Sequence, residues 1–474
     1  MSKRAIAVGE VLPAFPNYPL AVEADGLLFL SGVRGGRPGF APSTYQELSD
    51  EQRAEAQGYT LVDRQEGAYA ADAWATHENL EKVLRAAGSD GSQILRQHVW
   101  QQDKRFFPQY ERVRMEWQKV PSPSSGLGVA EIPGTFGRYY GIDAIGVVPG
   151  VNDLFPGRAT VRPFDNDILP SASYYSQAVR CGPLIFVAGH IPIQTNLPGK
   201  PVVKSYDDVP EEGRRLMTGR SHPDSRHGPI ASQTWYTYDR IRETLETNGL
   251  TMKDIVQVTV FLQDVRDFGV FHKVHKQFFP DTEPVLAVTG FNEVGHRGTL
   301  IEIEPTVVDP TYKLNVDYKA WPIPAPFAGA ASVRVGPVVF YAGMLGLDAS
   351  GNLVHGAHDI ADERGRTIVG ALERTERLPG LAAQCWAAWE LLAREVGRAG
   401  SSLRDLTKTT VYLKDHRDLE VYETVRECFL TEDLPAFEAV VVHGPGPVPD
   451  AHVQIEALAT IVNMDDGQII FAED

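Results

Sequence analysis

The chain contains little cysteine: its 474 residues hold only three, Cys181, Cys385 and Cys428. They lie far apart and form no CxxC pair, so the sequence predicts neither a disulfide framework nor a structural zinc site. Three thiols that stay reduced are typical of the cytoplasm. Residues 1–13 also lack the long apolar segment of a signal peptide, and we therefore expect a cytoplasmic protein.

Positive charge is also scarce, because 45 Lys and Arg residues face 62 Asp and Glu residues, giving a formal net charge of −17. A chain this acidic binds polyanions poorly, so nucleic acid is not an expected partner. No apolar run approaches 18 residues, and no membrane partner is expected either.

The sequence lacks the motifs of several enzyme classes. It has no Gly-x-Ser-x-Gly elbow and no Cys/His nucleophile pair, and Gly444–Pro449 is a Pro-rich turn instead of a phosphate loop. His272 and His275 are three residues apart on a predicted helix, but no third metal ligand stands at suitable spacing. We predict that the protein uses neither a metal nor an organic cofactor.

What the chain does contain is a threefold internal repeat. Three ten-residue segments align without gaps, alternate apolar and polar residues over much of their length, and end in Asp. Such alternation is typical of a half-buried strand. The segments are Ile94–Asp103, Ile255–Asp264 and Leu406–Asp415.

The three copies stay in register after this strand. Apolar residues follow the Asp at spacings of three, three and four, which predicts the buried stripe of an amphipathic helix. The stripes are Phe107, Tyr110, Val113 and Trp117; Phe268, Phe271, Val274 and Phe278; and Leu419, Tyr422, Val425 and Phe429.

Other parts of each copy match as well. A helix that ends in Gly precedes the repeated strand, as expected for a left-handed cap, at residues 79–88, 241–249 and 389–400. Upstream lies a hairpin whose second strand is Leu27–Gly32, Leu184–Gly189 or Val338–Gly343. A last strand closes each copy at Tyr139–Val148, Leu300–Val308 and Val453–Val462. Each unit therefore has the order β-β-insert-α-β-α-β, with a possible extra strand before the last.

Pro-rich joints suggest the domain boundaries. They lie near residues 149–163 and at Trp321–Phe327, which predicts domains at 1–150, 160–310 and 322–474. Long inserts at residues 35–70, 195–230 and 348–378 are expected to be surface loops or interface arms, or alternatively substrate lids.

These units resemble the Rid (reactive-intermediate deaminase) family. The second copy shows the pattern best, with a hairpin start at Tyr175–Val179, the segment FVAGHIP at Phe186–Pro192, the strand IVQVTVFLQD and the closing IEIEP at Ile301–Pro305. The three copies together cover most of the chain.

The resemblance implies a fold and an assembly. Family members have a chorismate-mutase-like α/β sandwich and form trimers with a central sheet barrel, outer helices and active sites between neighbours. Three tandem copies therefore imply an α+β protein that forms an intramolecular pseudo-trimer with three non-identical clefts, as a monomer or a dimer of it. The physical logic agrees, since each sheet can cover one face with its own helices and must bury the other on a neighbour.

One departure from the family concerns substrate binding. Imine-deaminating members have an Arg after Pro-Ala that binds the substrate carboxylate. The corresponding triplets here begin at Pro123, Pro284 and Pro435, and none contains Arg. The usual imine and enamine substrates of 2-amino acids are therefore in doubt.

The resemblance also places a Glu at the first acidic position of the closing strand, where it orients the attacking water. Only the second copy keeps this acid, as Glu302, whereas Gly141 and Gln454 replace it in the others. Glu302 is the predicted catalytic residue. The second acidic position is Asp143, Glu304 or Glu456; Glu304 is predicted either to join Glu302 in the cleft or to pair with a basic residue.

Further residues are predicted to bind substrate. Tyr18 and Tyr175 match the tyrosine that lines the family cleft, and the third copy offers only Phe327. The loop after the hairpin contributes Gly189, whose backbone can approach a ligand closely. Arg34 and His190 are polar groups beside that loop, and either could replace the missing Arg.

These features favour a cofactor-independent hydrolase of deaminase type that acts on a small, possibly cyclic metabolite with an imine, enamine or amide C–N bond. Chorismatase-like C–O chemistry is an alternative on the same fold. A non-catalytic small-molecule-binding or interaction protein is the alternative outside enzymology, and ribonuclease activity is disfavoured by the charge.

Overall fold

The structure is a computed structural model that describes residues 3–36, 63–134, 139–160, 173–281, 284–324 and 329–462. These residues form three sheets in sequence, each with its own helices. The predicted α+β class with three tandem units is confirmed. We call them units one, two and three.

Unit one supplies the first set of elements. Its strands and helices are β1 (Arg4–Ile6), β2 (Ala21–Ala24), β3 (Leu27–Val33), α1 (Asp63–Ala87), β4 (Ile94–Gln101), α2 (Phe107–Trp117), β5 (Ser124–Gly128) and β6 (Tyr140–Val147).

Unit two repeats this order. Its elements are β7 (Ala159–Thr160), β8 (Ala178–Cys181), β9 (Leu184–Val187), α3 (Ser221–Thr247), β10 (Ile255–Leu262), α4 (Phe268–Phe278), β11 (Val285–Gly290), β12 (Glu293–Val294) and β13 (Ile301–Val308).

Unit three has one additional helix. Its elements are β14 (Val316–Lys319), β15 (Ser332–Val335), β16 (Val338–Tyr341), β17 (Met344–Leu345), α5 (Glu363–Leu372), α6 (Leu381–Arg398), β18 (Leu406–Leu413), α7 (Leu419–Arg426), β19 (Ala436–Val441) and β20 (Val453–Thr460). The third sheet thus begins before the predicted domain start at residue 322.

The three sheets share one strand order, which confirms the repeat. The common orders are β2-β3-β6-β4-β5, β8-β9-β13-β10-β11 and β15-β16-β20-β18-β19. In each, the repeated strand lies antiparallel to the last strand and parallel to the strand that follows the second helix. That parallel pair requires a crossover, which the helix provides. The possible extra strand of the sequence pattern is present in every unit.

The central sheet barrel expected from the family is not formed as one hydrogen-bonded barrel by the described strands. Strand β5 of unit one pairs with the two-residue β12 of unit two, and single bridges such as Gly290 with Gly444 join units two and three. Sheet edges that meet over so few residues cannot close a continuous ladder. The quasi-threefold arrangement itself remains a prediction.

Side chains join the sheets instead. Residues at equivalent positions of the repeated strand, Trp100, Phe261 and Tyr412, belong to one buried apolar cluster. A second cluster also takes residues from all three units, among them Phe29, Phe186 and Phe340. Each unit therefore buries apolar surface against the others. This is expected for a sheet whose own helices cover only one of its two faces.

The first helix of each unit begins earlier than the sequence indicates, so the inserts are partly helical. Helix α3 starts at Ser221, inside the predicted insert 195–230, and α5 lies inside the insert 348–378. Residues 221–227, the first two turns of α3, are exposed or half-buried and include no large apolar residue, so they leave no buried stripe to detect. Residues 37–62 of the first insert lie outside the described residues.

Candidate active site

A cavity of about 550 Å³ lies where units one and two meet. Unit two contributes Tyr175, Gly189 and Glu302, and unit one contributes the loop after β4 together with strand β5. Because both units build its walls, neither has this site alone. Three of the residues predicted from the sequence, Tyr175, Gly189 and Glu302, are brought together here.

Glu302 lies near the start of β13 and is 3% exposed. Burial raises the pKa of its carboxyl to about 7, assisted by the neighbouring Glu304 and opposed by Lys104 and Ser125. A group with this pKa is present in both protonation states near neutral pH. It is therefore suited to donate and accept protons in turn.

Gly189 lets the backbone approach this acid. A Cβ atom added at Gly189 would collide with a carboxylate oxygen of Glu302 and with the hydroxyl of Ser125. The glycine is needed here for close packing, since any larger side chain would displace the acid or fill the cavity beside it.

Lys104 is a cavity residue that the sequence analysis did not identify. It follows β4 in unit one, and its ammonium donates a hydrogen bond to the carbonyl of Gly126 on the cavity wall. Burial lowers the pKa of Lys104, against the attraction of the carboxylates of Glu302 and Glu293. The alignment of the copies shows one difference at this position: unit one has a lysine, whereas the equivalent residues of units two and three are Val265 and His416.

The remaining walls are apolar inside and charged at the rim. Val99, Phe107 and Ile191 line the cavity, whereas the exposed His296 and Arg297 stand at its mouth. Such a site can hold an apolar ligand body with a polar reacting end near Glu302.

His190 does not line this cavity, contrary to its predicted role. Its backbone pairs with Ile303 on β13, and its ring Nδ1 donates a hydrogen bond to the carbonyl oxygen of Ala188, 2.9 Å away. Because successive residues of an extended segment face opposite sides, the ring points away from the side on which Gly189 meets the cavity.

Glu304 also lies outside the cavity lining, which corrects its predicted role as a substrate-binding residue. It belongs to a buried group of charges, the axial cluster, which comprises the second acids of the three units and the bases around them. His98 lies 3.0 Å from Glu304 and 3.2 Å from Asp143. The other members are Arg96, 3.3 Å from Glu304, Lys408, 2.6 Å from Asp143, and Glu456.

The axial cluster connects all three units. Burial alone would lower the pKa of His98, but the carboxylates of Glu304 and Asp143 raise it to about 10. His98 is therefore a cation at neutral pH. Its charge, with those of Arg96 and Lys408, is balanced by three acids, one from each unit. The structure thus favours the pairing of Glu304 with basic residues over a place in the cleft.

Arg34 and Tyr18 lie at a different junction, between units one and three, which corrects their predicted place in a ligand cleft. Arg34 forms two hydrogen bonds with Glu438, of 2.7 and 3.1 Å, and both side chains are buried. The guanidinium occupies the space above Gly141, where the family acid would stand. Tyr18 stacks on Phe437 with ring centroids 4.1 Å apart. Side chains therefore fill this cleft.

Among the described residues, side chains also meet at the junction of units two and three. Gln454, which replaces the first acid of unit three, donates hydrogen bonds to the hydroxyl of Thr289 at 2.7 Å and to the carbonyl of Val288 at 3.2 Å. Phe327, the tyrosine equivalent of this unit, lies outside the described residues. Within the described parts of the chain, the cavity lies in the cleft that keeps the acid.

Ser125 occupies the position of the missing family Arg in the open cleft. Its hydroxyl donates a hydrogen bond to Glu304, and the same hydroxyl also interacts with the carboxyl of Glu302. The side chain therefore connects the cavity acid to the axial cluster and leaves no guanidinium beside Glu302.

Comparison with known proteins identifies the class. A family model described as endoribonuclease L-PSP matches residues 166–309, which span unit two. The RutC family protein PYRAB12510 of Pyrococcus abyssi is 31% identical over 130 residues, covering 27% of this chain and 82% of that protein. The 2-iminobutanoate/2-iminopropanoate deaminase of Dermatophagoides farinae is 26% identical over 134 residues, covering 28% of this chain and 84% of that protein.

The chain belongs to the Rid family. Among solved structures, RidA of Psychrobacter sp. PAMC 21119 matches 31% of the chain and 98% of its own, with 26% identity and a TM-score of 0.23. A chorismatase matches 78% of the chain and 93% of its own, with 14% identity and a TM-score of 0.44.

Location in the cell stays a prediction. Among the described residues, no helix has the length and apolarity to cross a membrane. One relative, protein mmf2 of Schizosaccharomyces pombe, is named as mitochondrial; it is 28% identical over 144 residues, covering 30% of this chain and 93% of that protein.

Proposed function

We propose that the cavity between units one and two is the active site of a cofactor-independent C–N hydrolase of deaminase type. The observation that carries this proposal is Glu302, a buried carboxyl with a pKa of about 7 that faces a cavity large enough for a small metabolite. Membership of the Rid family supports it, as does the relative named an imine deaminase.

The chemistry needs one proton carrier. As a carboxylate, Glu302 takes a proton from a water molecule while the water oxygen bonds to the carbon of the C=N group. As the resulting acid, it returns that proton to the nitrogen. Glu302 then transfers the proton of the new hydroxyl group to the same nitrogen, the C–N bond breaks with its electron pair going to that nitrogen, and an amine or ammonia leaves a carbonyl product. The protonation of Glu302 is unchanged at the end, so no cofactor is required.

The cavity also indicates which substrates to test. Ser125 stands where family deaminases have the carboxylate-binding Arg, and the inner walls are apolar. We therefore expect cyclic or aromatic imines and amides to be better substrates than 2-iminobutanoate, although the relative named for that compound makes it a necessary member of the panel.

The test replaces Glu302 by Gln, which preserves shape and removes the proton carrier. Hydrolysis of imines generated in situ should fall by about 10²–10⁴-fold, the usual contribution of a positioned acid/base. In the wild type, kcat/KM should rise with pH through about 7, because the carboxylate form activates water. That dependence should be absent from the variant.

Glu456→Gln is the matched control, since Glu456 occupies the second acidic position of unit three and lies outside the cavity lining. It should leave kcat/KM within about twofold of the wild type, as expected for a change that removes no transition-state interaction. Equal turnover in Glu302→Gln and the wild type would mean that the chemistry lies elsewhere. Tight ligand binding without any turnover would favour the non-catalytic alternative.

A further inference from the structure

The cavity contains a second reactive group besides its acid. Lys104 of unit one brings a primary amine into the space that Glu302 of unit two faces, and the two side chains interact electrostatically. The amine is held on the wall by its hydrogen bond to the carbonyl of Gly126. C–N hydrolysis as described above uses Glu302 and water and gives Lys104 no part.

We propose that Lys104 is a nucleophilic amine that forms a Schiff base with an aldehyde or ketone bound in this cavity. The arrangement supplies the two groups that carbonyl condensation requires, an amine and a proton donor, from opposite units. This activity rests on the cavity and its two side chains, and it does not depend on the proposed hydrolysis.

The step balances with these two groups. The amine nitrogen bonds to the carbonyl carbon while Glu302 protonates the oxygen, and the carboxylate then removes a proton from the nitrogen, giving a neutral carbinolamine. Glu302 protonates the hydroxyl, which leaves as water while the nitrogen lone pair forms the C=N bond. The products are a protonated Schiff base, a water molecule and the Glu302 carboxylate, which becomes its counter-ion.

The surroundings make the ammonium of Lys104 easier to deprotonate than that of an exposed lysine. Burial raises the free energy of the charged form and lowers the pKa of Lys104. Glu302 and Glu293 oppose this effect. A lysine that is desolvated in this way is the usual form of a Schiff-base nucleophile.

Two other lysines provide internal comparisons. Lys408 is more buried than the half-buried Lys104 and lies 2.6 Å from Asp143, an ion pair that occupies its ammonium. Lys119 lies on the surface, with its side chain 70% exposed. If burial alone decided reactivity, neither Lys104 nor Lys408 would be labelled. If exposure alone decided it, Lys119 would be labelled.

Reductive trapping tests the proposal on the full chain. The protein is incubated at pH 7 with pyruvate or benzaldehyde and cyanoborohydride, which converts a Schiff base into a stable secondary amine, and the adducts are mapped by peptide mass spectrometry. Lys104 should be labelled faster than Lys119, because its lowered pKa leaves a larger fraction of its amine unprotonated and free to react. Lys408 should remain unlabelled.

Variants identify the groups involved. Lys104→Arg keeps the positive charge and should abolish the preferential adduct, while Glu302→Gln should slow trapping by about tenfold or more through loss of the proton donor. Glu456→Gln should trap at the wild-type rate.

Labelling that follows exposure, with Lys119 ahead of Lys104, would overturn the proposal, and so would an unlabelled Lys104 in the folded wild type. These readings come from the wild type alone, so they hold even if a variant fails to fold. They are also separate from imine hydrolysis, because trapping needs no turnover.

Discussion

Replacing His98 by Thr tests the axial cluster with the residue type that stands at the same strand position in the other two units. The equivalent positions of units two and three are Thr259 and Thr410, so Thr suits the strand. The change removes the cation between Asp143 and Glu304 and leaves both carboxylates buried with fewer partners.

Two independent arguments give the same loss in the free energy of unfolding. Breaking a buried ion pair by removing one partner costs about 3–5 kcal/mol. Independently, a pKa of about 10 against an ordinary value of 6.5 corresponds to about 5 kcal/mol as an upper figure. We therefore expect the free energy of unfolding at pH 6 to fall by about 3–5 kcal/mol.

The pH dependence has a definite sign. A histidine whose pKa is higher in the folded state stabilises fully below its unfolded pKa of 6.5, and this contribution is lost as pH rises to about 10. Urea denaturation at pH 6 to 10 should therefore show the gap between wild type and His98→Thr shrinking steadily. His358→Thr, at a histidine whose side chain is 79% exposed, is the control and should change little. A gap that is under about 1 kcal/mol, or that stays constant over this range, would refute the reasoning.

Two further changes examine the clefts. Gly189→Ala should lower kcat/KM by about 10²-fold with little loss of stability, because the added Cβ displaces Glu302; imine turnover and the unfolding midpoint measure the two effects, and normal turnover would show that the contact is loose. Arg34→Met should cost about 3–5 kcal/mol by leaving Glu438 buried without its partner, and it should leave kcat/KM for imines unchanged. The double variant Arg34→Met/Glu438→Leu should recover most of that stability, and no recovery in urea denaturation would contradict the pairing.

The sequence was sufficient for the fold class and for the centre of the site. The repeated segments predicted the order of strands and helices along each unit, and the only first acid among the copies is the one that faces the cavity. Tyr175 and Gly189 were grouped with Glu302 because all three belong to one unit and follow one pattern.

The roles of the other site residues could not be predicted from the sequence, because they depend on contacts between units. Strand alternation places Glu304 on the same face as Glu302, but it does not show that His98 of another unit stands opposite. Arg34 looked available because its partner Glu438 lies 404 residues further along the chain. Lys104 was overlooked because a single lysine after a strand has no pattern of its own, and only its place in another unit's cleft makes it notable.

The bond between Arg34 and Glu438 also affects the order in which the units can complete their folding during synthesis. It links the first unit to the last across almost the whole chain, as does the contact between Asp143 and Lys408. A ribosome that adds about 5–20 residues per second completes unit one long before unit three emerges. Units one and two can form the cavity early, since both of its walls precede residue 310. The guanidinium of Arg34 therefore stays in contact with water until Glu438 of unit three is made, so the last unit completes the packing of the first.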